Sequence, residues 1–242
     1  MASRVRIGTC GFPRSHRWVY AHCDMVEVQQ SFYDPPRLET VRRWRAEAPA
    51  EFAFSLKAWQ LITHEASSPT YRRLRRPLAE RDRSLAGGFR LNALTRMAWE
   101  RTRELAVALG AVAVVLQTPA SFLPTAVNIG RMQRFFATVD RAGLRLVFEP
   151  RGAAWTDEIL GPLLRSCGLV HGVDPFLRRP LGRGLRYFRL HGRPAYHYHY
   201  RYSDRELAAL AAMLPRQWPA MVLFNNDDMA GDAVRLRRLL RA

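Results

Sequence analysis

Four pairs of polar residues, each separated by one position, run through this sequence: Glu27 and Gln29, Ser55 and Lys57, Glu149 and Arg151, Arg189 and His191. Residues two apart lie on one face of a β-strand, so each pair can direct both side chains to one place. Together they would assemble an amine, two guanidinium groups, an imidazole and two carboxylates. That mixture suits acid–base chemistry on an anionic or polar small group. Lys57 is the only lysine among 38 Lys and Arg side chains. Lysine differs from arginine in being a compact amine that gives up its proton when desolvated. Any one of these residues alone is better explained as a satisfied polar group of the core or rim. Their recurrence in pairs is what asks for a common site.

The elements that must position them are short apolar runs bounded by turn signals. Eight occur, at 5–9, 25–29, 52–58, 112–118, 144–150, 168–174, 187–192 and 220–226. Helical patterns lie between most of them. They cover 38–48, 92–110 and 129–143, the last two stopping on Gly110 and Gly143, and 156–166 behind Thr156 as an N-cap. A further pattern at 203–214 opens with a Ser203–Glu206 capping box, and a last one closes the chain. Alternating strands and helices imply parallel β/α units. Eight strands in 242 residues fit an α/β fold of the TIM-like (β/α)₈ barrel type, a single domain over 1–242; such barrels typically need about 250 residues. An open doubly wound sheet would carry a glycine-rich dinucleotide fingerprint, which is missing. The link PFLRRPLGRGL between strands six and seven is too short and too rich in Pro and Gly for a full helix, so that helix is reduced or missing. The loop from His64 to Phe89 is long and Arg-dense.

Barrel chemistry sits at the C-terminal ends of the strands. The four pairs fall there, and Cys10, Gln117, Asp174 and Asn225 join them. The segment RYFRLHGRPAYHYHYRY, 186–202, then reads as a strand carrying Arg189 and His191 inward, followed by a Tyr/His loop above the mouth. Glu27, Glu149, Asp174 and His191 are types that bind divalent ions, but no tight ligand spacing supports them. Lys57, Arg151 and Arg189 compete as counter-charges, so no metal site is expected and the cofactor is left unknown.

The formal net charge is +17. That suits a polyanionic partner such as nucleic acid, and equally the background of an Arg-rich proteome. Arg72, Arg73, Arg75 and Arg76 put four positive charges into five residues, and the tyrosines of 196–202 offer rings on which bases stack. The three cysteines are far apart and form no CxxC, which points to a reducing cytoplasm. The N-terminal stretch has no apolar run of signal-peptide length. No run is long enough to span a bilayer, and no membrane partner is expected.

The motifs IGTCGF, VEVQQSFYDPP, FAFSLKAWQLITH, LQTPASF, FEPRGAAW, YFRLHG, YSDREL and FNNDDMAGDAV occur in order along nearly the whole chain. In them the sequence resembles the DUF72 family, also called YecE-like proteins. The resemblance implies a TIM-like barrel and no particular activity. Its matched positions include Glu27, Tyr33, Lys57, His64, Gln117, Glu149, Arg151, Trp155, Asp174, Arg189, His191 and Asn225. The chain departs from the family where VEVQQSFY replaces V-E-[IV]-N-S-T-F-Y, placing Gln29 and Gln30 where smaller groups stand.

Two readings follow. In the first, the chain is an enzyme acting on a phosphate- or carboxylate-bearing small molecule, or on nucleic acid or its fragments, at the barrel mouth. Lys57, Glu27, Glu149 and His191 would be catalytic. Gln29, Tyr33, His64, Gln117, Arg151, Trp155, Asp174, Arg189 and Asn225 would bind substrate. In the second, the chain is a non-catalytic nucleic-acid-binding protein that uses Arg72, Arg73, Arg75 and Arg76. A sugar-processing barrel with two carboxylates would need a suitable separation between them.

Overall fold

The structure, a computed structural model, describes residues 5–241; the first four residues of the N-terminal stretch lie outside that range. Eight strands form: β1 Val5–Cys10, β2 Met25–Val28, β3 Ala53–Lys57, β4 Ala111–Gln117, β5 Arg145–Glu149, β6 Val170–Val173, β7 Arg186–Leu190 and β8 Ala220–Phe224. All neighbours pair in parallel and β8 closes on β1. The helices are α1 His16–His22, α2 Gln30–Tyr33, α3 Leu38–Glu47, α4 Gln60–Thr63, α5 Glu80–Arg83, α6 Ala93–Leu109, α7 Ala126–Thr138, α8 Asp157–Cys167, α9 Asp204–Met213 and α10 Met229–Leu239. No described helix is long and apolar enough to cross a membrane.

Local chemistry accounts for most of the boundaries. Asn92 and Thr95 form a capping box at the start of α6, and Gly110 ends it in the left-handed conformation. Ser203 and Glu206 cap α9 reciprocally, as the spacing requires. Two boundaries differ from the sequence expectation. α7 starts earlier, because Thr125 accepts from the Asn128 N–H, and stops at Thr138, not at Gly143. Asp140 then accepts from the Ala142 N–H, and Ala142 and Gly143 take positive φ to turn the chain into β5. The segment between β1 and β2, which reads as a loop, holds α1, started by the Ser15 side chain accepting from the Trp18 N–H. No described helix lies between β6 and β7. There the link is tied back where the Leu181 N–H donates to Nδ1 of buried His171 at 3.1 Å.

The core divides into two layers that follow strand alternation. Phe54, Leu56, Phe148, Phe188, Val222 and Phe224 face the helices in the outer layer. Met25, Ala53, Val115, Val147, Tyr187 and Leu223 fill the barrel interior. The polar pairs share the inward parity of this second set: Glu27 follows Met25, Ser55 and Lys57 follow Ala53, Gln117 follows Val115, Glu149 follows Val147, and Arg189 follows Tyr187. The apolar plug thus gives way to a polar layer at the C-terminal ends of the strands.

Candidate functional site

Arg189 stands at the centre of that layer, 1% exposed. Its Nη2 and Nε donate to the two oxygens of Glu27 at 2.8 and 3.1 Å. Its Nη1 donates to Glu149. A guanidinium forked across one carboxylate and reaching a second matches its planar donor geometry. Glu27 is held further by the Tyr187 hydroxyl at 2.8 Å, which is itself bonded to Ser55 at 2.7 Å, and by the Gln29 amide. Glu149 is also ion-paired with Arg151 at 2.9 Å. Burial pushes the Glu149 carboxyl up, but Arg151 and Arg189 outweigh it and hold it well below the usual carboxylate range. Burial disfavours the Arg189 charge, and the two glutamates more than restore it.

Two carboxylates and two guanidinium groups balance one another, and Lys57 is left outside the balance. Its Nζ donates to Gln117 Oε1 at 2.8 Å and sits 3.8 Å from the centre of the Phe32 ring, with the side chain 6% exposed. Burial lowers the amine to about 7, Arg189 adds to the effect, and Glu149 and Glu27 oppose it only in part.

His191 lies against the same cluster. Its Nε2 is 3.0 Å from Arg151 Nη2 and 3.4 Å from Arg189 Nη1. Burial keeps the ring neutral, and the cations around it reinforce this against Glu149. Over the cluster lies the loop after β7. The Tyr196 ring covers the Arg151 guanidinium at 3.8 Å, and Tyr196 and Tyr198 meet the His191 ring edge-on. His197 and His199 are exposed. The loop approaches so closely that a Cβ on Gly192, at φ 77°, would come within 1.9 Å of the His197 carbonyl oxygen. Beside the cluster is a cavity of about 550 Å³ whose walls include Glu149, His171, Asp174, Arg178 and Tyr196. Asp174 accepts from the backbone N–H groups of Phe176 and His191, and burial raises its carboxyl to about 6. Of the four pairs, Glu149 is a wall of that cavity.

The other expected residues are placed as follows. Tyr33 and His64 flank the Phe32 ring, each at 4.9 Å, and His64 is pushed down to about 3 by burial and then by Lys57. Trp155 is a wall of the cavity beside the cluster. It is buried in the outer layer against Phe148 and Phe122, and its indole N–H donates to the Phe122 carbonyl. Its indole is therefore satisfied by the fold. Asn225 is half-buried, its backbone N–H on the Leu190 carbonyl. Arg72, Arg73, Arg75 and Arg76 are exposed on the loop after β3, on the mouth side; Arg73 lies 3.7 Å over Tyr33, and Arg75 pairs with Asp34. No group of three His, Cys, Asp or Glu among the described residues is arranged to hold a metal ion. The Arg189 guanidinium fills the space between the two glutamates. Sequence reasoning left out Tyr187, which touches the cluster directly; it sits two positions before Arg189, so the same spacing rule would have found it. Nothing local in the sequence marks Tyr196 as the cover.

A family model described as "Protein of unknown function DUF72" matches residues 16–242. The chain belongs to the DUF72 family. Among solved structures, a DUF72 family protein from Enterococcus faecalis V583 is similar over 98% of both chains, with a TM-score of 0.72 and 20% identity. A DUF72 family protein from Thermotoga maritima MSB8 has a TM-score of 0.70 and 20% identity over 98% of this chain and 99% of that one. A D-tagatose 3-epimerase-like protein has a TM-score of 0.61 at 15% identity, covering 98% of this chain and 96% of its own. At these identities the likeness is one of fold, here the TIM-like barrel. No curated protein matches the sequence.

Proposed function

We propose that this DUF72 chain is an enzyme that acts on a phosphate- or carboxylate-bearing substrate at the C-terminal mouth of the barrel, with the Lys57 amine as base or nucleophile. The observation that carries this is the pairing pattern. Both glutamates are taken by Arg189 and Arg151, so the amine near them has no carboxylate partner. A buried amine in that condition gives up its proton near pH 7 and is then nucleophilic. On this reading Glu27 and Glu149 hold Arg189 in place and do not move protons, and Arg151 and His191 meet the substrate's charge.

Lys57→Arg tests it. The variant keeps a cation and loses the compact amine. In a thermal-shift screen of small phosphates and carboxylates, the wild-type protein should show ligands that the variant, folded by circular dichroism, does not. Equal shifts in both proteins would sink the reading.

A second reading, nucleic-acid binding without catalysis, is favoured by the exposed arginines of 72–76, which fringe the same face. Binding through them would weaken steeply as salt rises, whereas a buried small-ligand site would respond little.

A further inference from the structure

Two buried nitrogens of the cluster have no hydrogen-bond partner: Arg151 Nε and His191 Nδ1. The tautomer of His191 follows from its other nitrogen. Nε2 faces Nη2 of Arg151 and Nη1 of Arg189, and guanidinium nitrogens only donate. Nε2 therefore accepts, and the neutral ring carries its proton on Nδ1. The cluster thus holds two unused N–H donors on adjacent residues, both beneath the Tyr196 ring. Leaving a buried donor unpaired is costly, and such groups call for an outside partner. The group that complements two donors with no nearby acceptor is an oxygen of a carboxylate or phosphate.

Lys57 supplies the complementary chemistry. One N–H is engaged by Gln117 Oε1, and the Phe32 ring walls one side. No carboxylate holds the amine, so its lone pair is available. The surrounding arginines, which disfavour a cation at this position, would also make a cationic adduct strongly electrophilic.

We propose that the substrate is a small aldehyde or ketone bearing a carboxylate or phosphate, that its anionic oxygens are met by Arg151 Nε–H and His191 Nδ1–H, and that Lys57 condenses with its carbonyl carbon. This deepens the reading of Lys57 given above and rests on it. In the step, the Nζ lone pair forms the C–N bond and the carbonyl π electrons move to oxygen, giving a carbinolamine. The C–O bond then breaks. The oxygen leaves as water, taking one proton from the amine and one from solvent, and an iminium remains on Lys57. No electrons are gained or lost.

The test uses the whole wild-type protein at pH 7.5 with glyoxylate, pyruvate or dihydroxyacetone phosphate, followed by borohydride, which reduces the iminium to a stable secondary amine. Lys57 is the only lysine, so peptide mass mapping distinguishes it at once from the N-terminal amine. The expected result is an adduct on the Lys57 peptide with at least one probe, abolished in Lys57→Arg and by urea unfolding. Acetate and glycerol 1-phosphate, which carry the anion without the carbonyl, should slow the trapping. Absence of an adduct on Lys57 with all three probes overturns the proposal. The two readings separate in a companion experiment, acetylation of Lys57 by acetic anhydride. If the two non-carbonyl anions protect Lys57 there but no probe is trapped, condensation falls and the anion site stands. If neither occurs, both fall.

Discussion

Replacing Lys57 by methionine should make the protein more stable, by an amount that depends on pH. The side chain is 6% exposed and burial lowers its amine from 10.5 to about 7. A displacement of that size corresponds to roughly 5 kcal/mol between the two protonation states. The sign follows from linkage. Between about pH 7 and 10.5 the unfolded chain keeps the proton and the folded chain does not, so stability rises with pH across that window. Below it both states are protonated and the full penalty remains. The penalty felt is on the order of 4 kcal/mol at pH 7 and about 2 kcal/mol at pH 9. Methionine is similarly unbranched and carries no charge. It loses the Gln117 hydrogen bond, worth about 1 kcal/mol, equally at both pH values. Lys57→Met should therefore gain roughly 3 kcal/mol at pH 7 and about 1 kcal/mol at pH 9. The change of about 2 kcal/mol between the two is independent of packing costs. Urea unfolding of both proteins at both pH values reads it directly, and taking the difference between proteins cancels the titration of the three buried cysteines. An offset that is the same at pH 7 and pH 9 would refute the account of a desolvated, neutral amine.

Other consequences can be measured alongside. Arg189→Met strips Glu27 and Glu149 of their shared counter-charge, and should cost about 3–5 kcal/mol in urea unfolding at pH 7; a loss under 1 kcal/mol would mean that the cluster is not held as described. Glu149, held below its ordinary value, contributes stability at neutral pH that is lost as pH falls through the acid range, so Glu149→Gln should flatten the acid limb of the stability curve. Gly192→Ala would set a Cβ against the His197 carbonyl at positive φ; the expected cost is on the order of 3 kcal/mol, with increased hydrogen exchange across 193–202. Replacing Arg72, Arg73, Arg75 and Arg76 by serine should weaken any binding to duplex DNA at ~50 mM salt and reduce the salt slope by up to ~4. No detectable binding by the wild-type protein at that salt would remove nucleic acid as a partner.

The barrel was legible because strand alternation and strand ends are local properties. Eight apolar runs became eight strands, and Glu27, Lys57, Glu149, Arg189 and His191 converged because inward parity and a shared barrel end leave them nowhere else to go. The pairing within the cluster was not legible. Whether the glutamates would meet Lys57 or the arginines depends on distances across the barrel, and the sequence carries no signal for a guanidinium forked over Glu27. A motif match says that a residue is needed and not what holds it: the Trp155 indole donates to a backbone carbonyl while the residue walls the cavity beside the cluster. The bounds of α7 failed on turn chemistry, since Asp140 and Ala142 form a turn that a periodicity count runs through. Tyr196 reaches the cluster only through the path of the loop after β7, which tertiary packing sets.

The central claim is that the Lys57 amine loses its proton near neutral pH. Protein labelled with ¹³C and ¹⁵N at lysine should give a single side-chain signal, because position 57 holds the only lysine. Followed from pH 5 to pH 11 by NMR, that signal should titrate with a midpoint of about 7. A lysine that stays protonated above pH 9 would show that a carboxylate holds it after all, and would contradict the account.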